Sequence, residues 1–494
     1  MANLKMLAID LGASSGRGIV GTFDGQKISL AENHRFPNEP VMAAGQFTWD
    51  ILRIYHEIKN SIRKCALSDD RDIASIGIDT WGVDFGFLDK HGKLLGNPVH
   101  YRDVRNDAMP EYAATLVDPN FVYEKTGIQV VDFNTLYQLL AVKRDTPEIL
   151  EAAHDMLFIP DLLSYFLTGE KRTEYTIAST SQLLDAKARD WSWELIDKFG
   201  LPRKLFSKIA MPSTPLGALR SDVLEEVGAV NAKVVSVAAH DTGSAVMAVP
   251  ALGDDFIWIS SGTWSIMGTE TKEPVISEKS REYNFTNEGG ADRTIRFSKN
   301  ITGLWLEQES KRQWEREGEK LTFPDLSAAA ASAKPFMCFI DPDDPRFATP
   351  GNLPRRIAEY CKETGQEVPQ TKGEIVRCIL ESLALKYRAT VEQTDELCGK
   401  RIPQINIVGG GTQEKQLSAF TASACGRPVV TGPIEATALG NIVSQAIAAG
   451  EINDMREGRQ VIADSFEILH YEPTNTADWD AAYERFTKVT SNKN

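Results

Sequence analysis

Cysteine is scarce in this chain. Six residues among 494, with no CxxC pair, exclude a disulfide scaffold and a thiol zinc ribbon. The one pairing that stands out is Cys361 with Cys378, 17 positions apart (378 − 361) in a polar segment, and free thiols are the expectation there. HExxH is missing, since His56-Glu57 runs on into Ile58-Lys59-Asn60. No Walker A sequence occurs either, because Gly399-Lys400 is followed by Arg401 instead of Ser or Thr. Long apolar runs are absent: none approaches the ~18 residues a membrane helix needs. Asp10 falls where the apolar stretch of a signal peptide would run, so a cytoplasmic protein is expected. Positive charge is in deficit. Lys+Arg number 54 against 69 Asp+Glu, a net charge of −15 with a pI near 5.1, which argues against nucleic acid or an anionic membrane as partner.

What is present is an ordinary globular composition, 42% hydrophobic and 25% charged, long enough for two or three domains. The opening reads as strand, turn, strand, turn, strand: an apolar run ends at Asp10, a second reaches Phe23, and Asp24-Gly25 turns into a third. Residues 50–66 place Ile51, Ile54, Ile58 and Ile62 on one helix face. IASIGIDTWGVDFGFLD follows as a strand, and 135–168 read as helical with breaks at Pro147 and Pro160. The pattern restarts near 250. FIWISSGTWSIMGTE is again strand, small-residue turn, strand, so that Ile259-Ser260-Ser261-Gly262 lies on Ile9-Asp10-Leu11-Gly12. A helix over about 371–399, a strand–Gly409-Gly410-Gly411–helix, a small-residue helix at EATALGNIVSQAIAAG and a closing helix around Trp479, Tyr483 and Phe486 complete the chain. The expected class is α/β in two comparable halves, 1–249 and 250–494.

Three motifs compete at the opening glycines. Gly16-x-Gly18-x-x-Gly21 fits the dinucleotide fingerprint, but that site needs a helix directly after it, and Ile19-Val20-Gly21-Thr22-Phe23 is β-prone. Gly12-x-Ser14-x-Gly16 has the spacing of a nucleophile elbow and lacks its helix for the same reason. The third reading is a phosphate-binding hairpin, in which Ala13-Ser14-Ser15-Gly16 offers successive N–H groups and two hydroxyls and Arg17 adds charge. Ser260-Ser261-Gly262-Thr263 repeats that turn, and Gly409-Gly410-Gly411 lets backbone approach a ligand closely. The chemistry is best sought at His240-Asp241-Thr242, after an apolar segment and before a helix. There Asp241 is either a helix cap or the base that takes a proton from an attacking hydroxyl.

Taken together, Asp10-Leu11-Gly12-Ala13-Ser14-Ser15-Gly16-Arg17, Gly77-Ile78-Asp79-Thr80-Trp81-Gly82-Val83-Asp84, His240-Asp241-Thr242, Ser260-Ser261-Gly262-Thr263-Trp264-Ser265 and Val408-Gly409-Gly410-Gly411 resemble the FGGY carbohydrate kinases. The resemblance runs over roughly residues 5–470. It implies an actin-like, ribonuclease H-like fold, two duplicated α/β domains with an interdomain active-site cleft for ATP and sugar. It implies transfer of the ATP γ-phosphoryl group to the 1-hydroxyl of L-rhamnulose, with Mg²⁺. By position it implies Asp241 as general base, and Gly82, His240, Asp241, Thr242 and Asn300 as sugar contacts. Ala13, Ser14, Ser15, Gly16, Arg17, Thr263, Gln308 and Gly410 are the implied ATP contacts, with Asp10 beside the metal. Trp81 is a candidate platform for the apolar face of the sugar. The implied partners are a small-molecule ketose and ATP, for a monomer or small homo-oligomer. The segment Phe133-Asn134-Thr135-Leu136-Tyr137-Gln138 lacks the Lys and Trp that many FGGY kinases carry there, so another ketose such as L-fuculose stays open. So does a non-catalytic actin-fold protein that binds ATP as a sensor.

Overall fold

A computed structural model describes residues 3–228 and 230–491. The chain sorts into two compact units, each threaded more than once. Unit 1 comprises Met1–Leu252, Glu270–Phe297 and Ala436–Ser465; unit 2 comprises Gly253–Thr269, Ser298–Glu435 and Phe466–Asn494. The first crossing lies between Leu252 and Gly253, and two later segments return to unit 1.

Unit 1 is built on six strands: β1 (Leu4–Leu11), β2 (Ser15–Phe23), β3 (Ile28–Pro37), β4 (Ser75–Thr80), β5 (Thr214–Ala218) and β6 (Lys233–Ser236). Their order across the sheet is β5-β6-β4-β1-β2-β3. The β1–β2–β3 meander is antiparallel, β4 and β6 are parallel additions, and β5 closes the edge antiparallel to β6. The last six residues of β1 are all buried, as a strand covered on both faces must be. The turn after β2 forms because Asp24 Oδ1 accepts from the amides of Gln26 (2.8 Å) and Lys27 (2.7 Å), while Gly25 takes φ +97°. Asp50 caps the helix Ile51–Ala66, whose Ile51, Ile54, Ile58 and Ile62 are buried as their spacing requires.

One stretch departs from the sequence reading. Within 135–168 the helices are Thr135–Asp145, Pro147–Ala152 and Ile159–Thr168, and a strand, Asp155–Phe158, separates the last two. Met156-Leu157-Phe158 is a short apolar run that periodicity does not distinguish from a buried helix turn. It pairs antiparallel with Phe85–Leu88. Pro160 opens the third helix, where its missing N–H has no cost.

Unit 2 repeats the plan. β7 (Ile257–Ser261), β8 (Trp264–Thr271), β9 (Ile295–Thr302), β10 (Ile405–Val408), β11 (Val429–Thr431) and β12 (Leu469–Tyr471) follow the order β9-β8-β7-β10-β11-β12, and the short strand Thr286–Gly289 lies beyond β9 as a seventh. β7 and β8 form an antiparallel hairpin, β10 and β11 add in parallel, and β12 closes antiparallel. The duplication hinted at by the two hairpins is thus a duplication of sheet topology. The copies differ at both edges: β5 precedes its neighbour in the chain whereas β12 follows its own, and Thr286–Gly289 has no counterpart in the first sheet. The long helix Lys372–Cys398 runs through the unit 2 core with Ile379, Leu380, Leu383, Leu385 and Tyr387 fully buried.

Candidate functional site

In unit 1 the parallel register sets Asp10 opposite Asp79 and Leu11 opposite Thr80, and a parallel bridge sets Thr80 opposite His240. Three adjacent strand ends therefore bring Asp10, Asp79 and His240-Asp241-Thr242 to one edge of the sheet, the carboxyl edge where open α/β sheets hold ligands. Asp79 is fully buried; its Oδ2 accepts from Asn441 Nδ2 at 2.6 Å and its Oδ1 has no partner. Burial, then the charge of Asp10, pushes its carboxyl well above the usual range, against the hydrogen bond from Asn441.

Asp10 pairs across the β1–β2 hairpin with Arg17, whose guanidinium donates to Oδ2. The hairpin tip is fastened by Gly12 N to Ser15 O (2.9 Å), Asn38 N to Ser14 O (3.1 Å) and Asn38 Nδ2 to Gly12 O (2.8 Å). Ala13 and Ser14 are left exposed and Ser15 half-buried. Gly16 has a packing reason of its own, since a Cβ there would stand 2.3 Å from the Phe36 ring.

His240 is the N-cap of the helix Asp241–Met247, so Asp241 is its first residue and not its cap. Asp241 Oδ1 accepts from Thr242 N (2.5 Å) and Thr242 Oγ1 (3.1 Å), and its side chain remains 35% exposed. His240 Nε2 lies 3.5 Å from Asp241 Oδ1. On its other side, Nδ1 is 3.2 Å from Glu288 Oε2 and 3.0 Å from an Arg296 guanidinium nitrogen. Arg296 is 1% exposed and donates to Glu288 Oε2 (3.0 Å) and Gly289 O (2.8 Å). Burial alone would raise the Glu288 carboxyl, but the Arg296 charge and then the His240 hydrogen bond overcome it and hold it at about 2. Glu288 and Arg296 are neighbours of His240 that the sequence alone did not point to. The available signal was an arginine set between the apolar Ile295 and Phe297.

Gly82 joins this group, because a Cβ there would lie 3.4 Å from His240 Nε2. The next residue, Val83, sits at φ +65°, a left-handed conformation that a β-branched side chain rarely tolerates. It is held by Thr180 Oγ1 at its N–H (3.1 Å) and Thr135 Oγ1 at its carbonyl (2.7 Å). Trp81 is buried: its Nε1 donates to Asp84 Oδ2 (2.9 Å) and its ring lies 4.1 Å from that of Trp49. It is therefore an internal strut of unit 1, and its indole is not open to carry a sugar face. Asp84 also accepts from Trp49 Nε1 (2.6 Å) and Gln138 Nε2 (3.0 Å); burial raises it to about 6 against these bonds.

Unit 2 holds a second group. In the turn between β7 and β8, Gly262 N donates to Trp264 O (2.9 Å), while Gly262 O and Thr263 O accept from Leu304 N and Trp305 N. Thr263 Oγ1 donates to Gln308 Oε1 (3.0 Å), so these two expected nucleotide contacts meet. The glycine triplet packs on the same turn. A Cβ on Gly409, at φ +91°, would stand 2.9 Å from Ser261 O, and one on Gly411 would stand 2.0 Å from Ser261 Oγ, whereas Gly410 faces open space. The helix does not follow the glycines directly. A 3₁₀ turn over Gly410–Gln413 intervenes and Glu414 caps the helix Lys415–Cys425. Asn300 lies half-buried in β9. All six cysteines are free, and the sulfurs of Cys338, Cys361 and Cys378 lie within 4.8 Å of one another in the unit 2 core. Among the described residues no helix is long and apolar enough to cross a membrane.

Residues 5–248 match the FGGY family of carbohydrate kinases, N-terminal domain, and residues 257–449 match its C-terminal domain. The chain belongs to the FGGY family of carbohydrate kinases. This FGGY kinase is 46% identical over 482 residues to a rhamnulokinase of Bacteroides thetaiotaomicron, covering 98% of each chain. It is 42% identical to a rhamnulokinase of Halalkalibacterium halodurans, covering 94% of this chain and 98% of the other. Its fold is similar to that of a xylulose kinase from Lactobacillus acidophilus (TM-score 0.81, 18% identity, 99% and 98% of the chains). A Plasmodium falciparum glycerol kinase solved with ADP is also similar (TM-score 0.78, 17% identity, 98% of each).

Proposed function

We propose that this FGGY kinase transfers the γ-phosphoryl group of ATP to the 1-hydroxyl of L-rhamnulose, giving L-rhamnulose 1-phosphate and ADP. The observation that carries the reading is the 46% identity to a rhamnulokinase over 98% of both chains. In this reading the 1-hydroxyl oxygen attacks the γ-phosphorus, its proton passes to Asp241, and ADP leaves. Asp241 suits the part, since one oxygen is anchored by Thr242 and the side chain is open. Gly82, His240, Thr242 and Asn300 orient the sugar. Ala13 to Gly16 and Arg17 meet the phosphates, and Thr263, Gln308 and Gly410 meet the rest of the nucleotide. Residues 1–249 would then serve mainly the sugar and phosphates, and 250–494 the nucleotide.

Mg²⁺ fits the acidic edge of unit 1, because it takes hard carboxylate oxygens and Asp79 Oδ1 is buried there without a partner. Asp10 would hold the ion, which when bound neutralises charge on the phosphate oxygens. The chain's own contribution is positioning and the exclusion of water, which would otherwise compete as acceptor.

The test is ADP release with Mg²⁺ and ATP across L-rhamnulose, L-fuculose, L-ribulose, L- and D-xylulose and glycerol. L-rhamnulose should lead by about tenfold or more in kcat/KM, about 1.4 kcal/mol of discrimination. A different leading ketose overturns the substrate and keeps the kinase. ATP hydrolysis indifferent to every sugar overturns both.

A further inference from the structure

The hydrogen bonds beneath the His240-Asp241 turn lead to a carboxylate that the reaction does not use. Glu174 is fully buried at the start of the helix Tyr175–Ser179. Its Oε1 accepts from Thr176 N (2.8 Å), and its Oε2 accepts from Thr176 Oγ1 (2.6 Å) and Ile177 N (2.9 Å). A fourth donor comes from far along the chain: Ala239 N, at 3.2 Å from Oε2. Thr176 Oγ1 gives its only proton to Glu174 and is therefore an acceptor toward everything else. It takes the amide of His240 at 3.1 Å. The opposite side of the same backbone is fixed as well, since Ala239 O accepts from Thr80 N (2.9 Å) and His240 O from Ser244 N (3.0 Å).

Four donors on one buried group select a carboxylate. Glutamine would point an NH₂ at N–H and O–H donors and leave part of the set unpaired, which is costly away from water. A buried acid is itself unfavourable, and three local donors would be enough to cap a five-residue helix. The long-range bonds to Ala239 and His240 are what a local cap does not explain.

We propose that Glu174, acting through Thr176, is a positioning residue for phosphoryl transfer: it fixes the main chain at Ala239–His240 and thereby aims the Asp241 carboxylate. The inference rests on Asp241 being the base. A misplacement of about 1 Å at a reacting group is worth about 10²-fold in rate. Thr176→Val, which keeps the shape and removes the hydroxyl, should therefore lower kcat at least tenfold while the KM for ATP stays within twofold. Thr176→Ser should restore kcat to within about threefold of the parent, and Glu174→Gln should fall with the valine variant. Circular dichroism at the assay temperature checks that each variant is folded.

The role is overturned if Thr176→Val keeps kcat within twofold. It is equally overturned if serine is as impaired as valine, or if the KM for ATP rises in step with the loss of kcat. Asp241→Asn is assayed alongside. Full turnover in that variant removes the base and the positioning role together. Lost turnover there, with Thr176→Val and Glu174→Gln unaffected, removes the positioning role alone.

Discussion

Asp241 leans one oxygen on the amide and hydroxyl of Thr242 and keeps its side chain a third open, at a helix start where His240 already occupies the capping position. A carboxylate needed only as a cap would take that position itself. Asp241→Asn should accordingly cut turnover by about 10²–10⁴-fold, with ATP and sugar affinities measured by calorimetry left within a few-fold. The candidate base was legible because His240, Asp241 and Thr242 are contiguous and a strand-to-helix change flanks them. Glu174, Glu288 and Arg296 were not, since they reach the same turn from distant parts of the chain and carry no motif of their own. Trp81 illustrates the converse. Its place in a recognisable motif suggested a ligand face, and its indole N–H is instead spent on Asp84 inside unit 1.

At the scale of elements, the glycine triplet divides its labour by position. Gly409 and Gly411 are glycines because Ser261 backs onto them, while a side chain at Gly410 meets nothing in the protein. Gly410→Val should therefore raise the KM for ATP about tenfold with an unchanged thermal midpoint, as expected if the nucleotide approaches the backbone there. Gly411→Val should lower the midpoint instead, by overpacking that costs about 1–3 kcal/mol. Steady-state kinetics beside a thermal melt of both variants separates the two. The hairpins that open each unit were readable from small-residue turns between apolar runs. The 3₁₀ turn that begins within the glycines and the strand Asp155–Phe158 were not, because both are too short to impose a period. The helix Ala436–Ala449 was legible as a helix but not in its packing. Gly440 lies so close to the helix Asp241–Met247 that a Cβ would stand 1.8 Å from Ser244 O, and Gln445 reaches Leu7 O (3.1 Å) and Ser75 Oγ (2.7 Å).

Over the whole molecule, four buried acids contribute a dependence of stability on pH. Burial is the leading cause in each: Glu174 and Glu381 rise to about 7, Glu307 to about 8 and Asp84 to about 6. An acid whose folded pKa is raised binds its proton more tightly in the native state, so stability falls as pH climbs through the window between the unfolded and folded values. The thermal midpoint should therefore rise as pH is lowered from about 8.5 to about 6, which differential scanning fluorimetry at fixed ionic strength will follow. A midpoint that falls over that range would contradict it. Glu288 works the other way. Held at about 2, it contributes stability that is complete above the ordinary carboxylate range and is lost as pH drops toward its folded value. At this scale the sequence suggested two comparable halves, but a linear reading cannot show a chain that leaves unit 1 and comes back.

That return has a consequence for synthesis. Asn441, which donates to the buried Asp79, belongs to the last segment that unit 1 receives. At about 5–20 residues per second, the ribosome delivers it roughly 10–40 s after Asp241. Until then the strand ends carrying Asp10 and Asp79 lack the helix that packs against them, so the two halves cannot mature one after the other like beads on a string. The nascent chain has to carry an unfinished first unit through the making of the second.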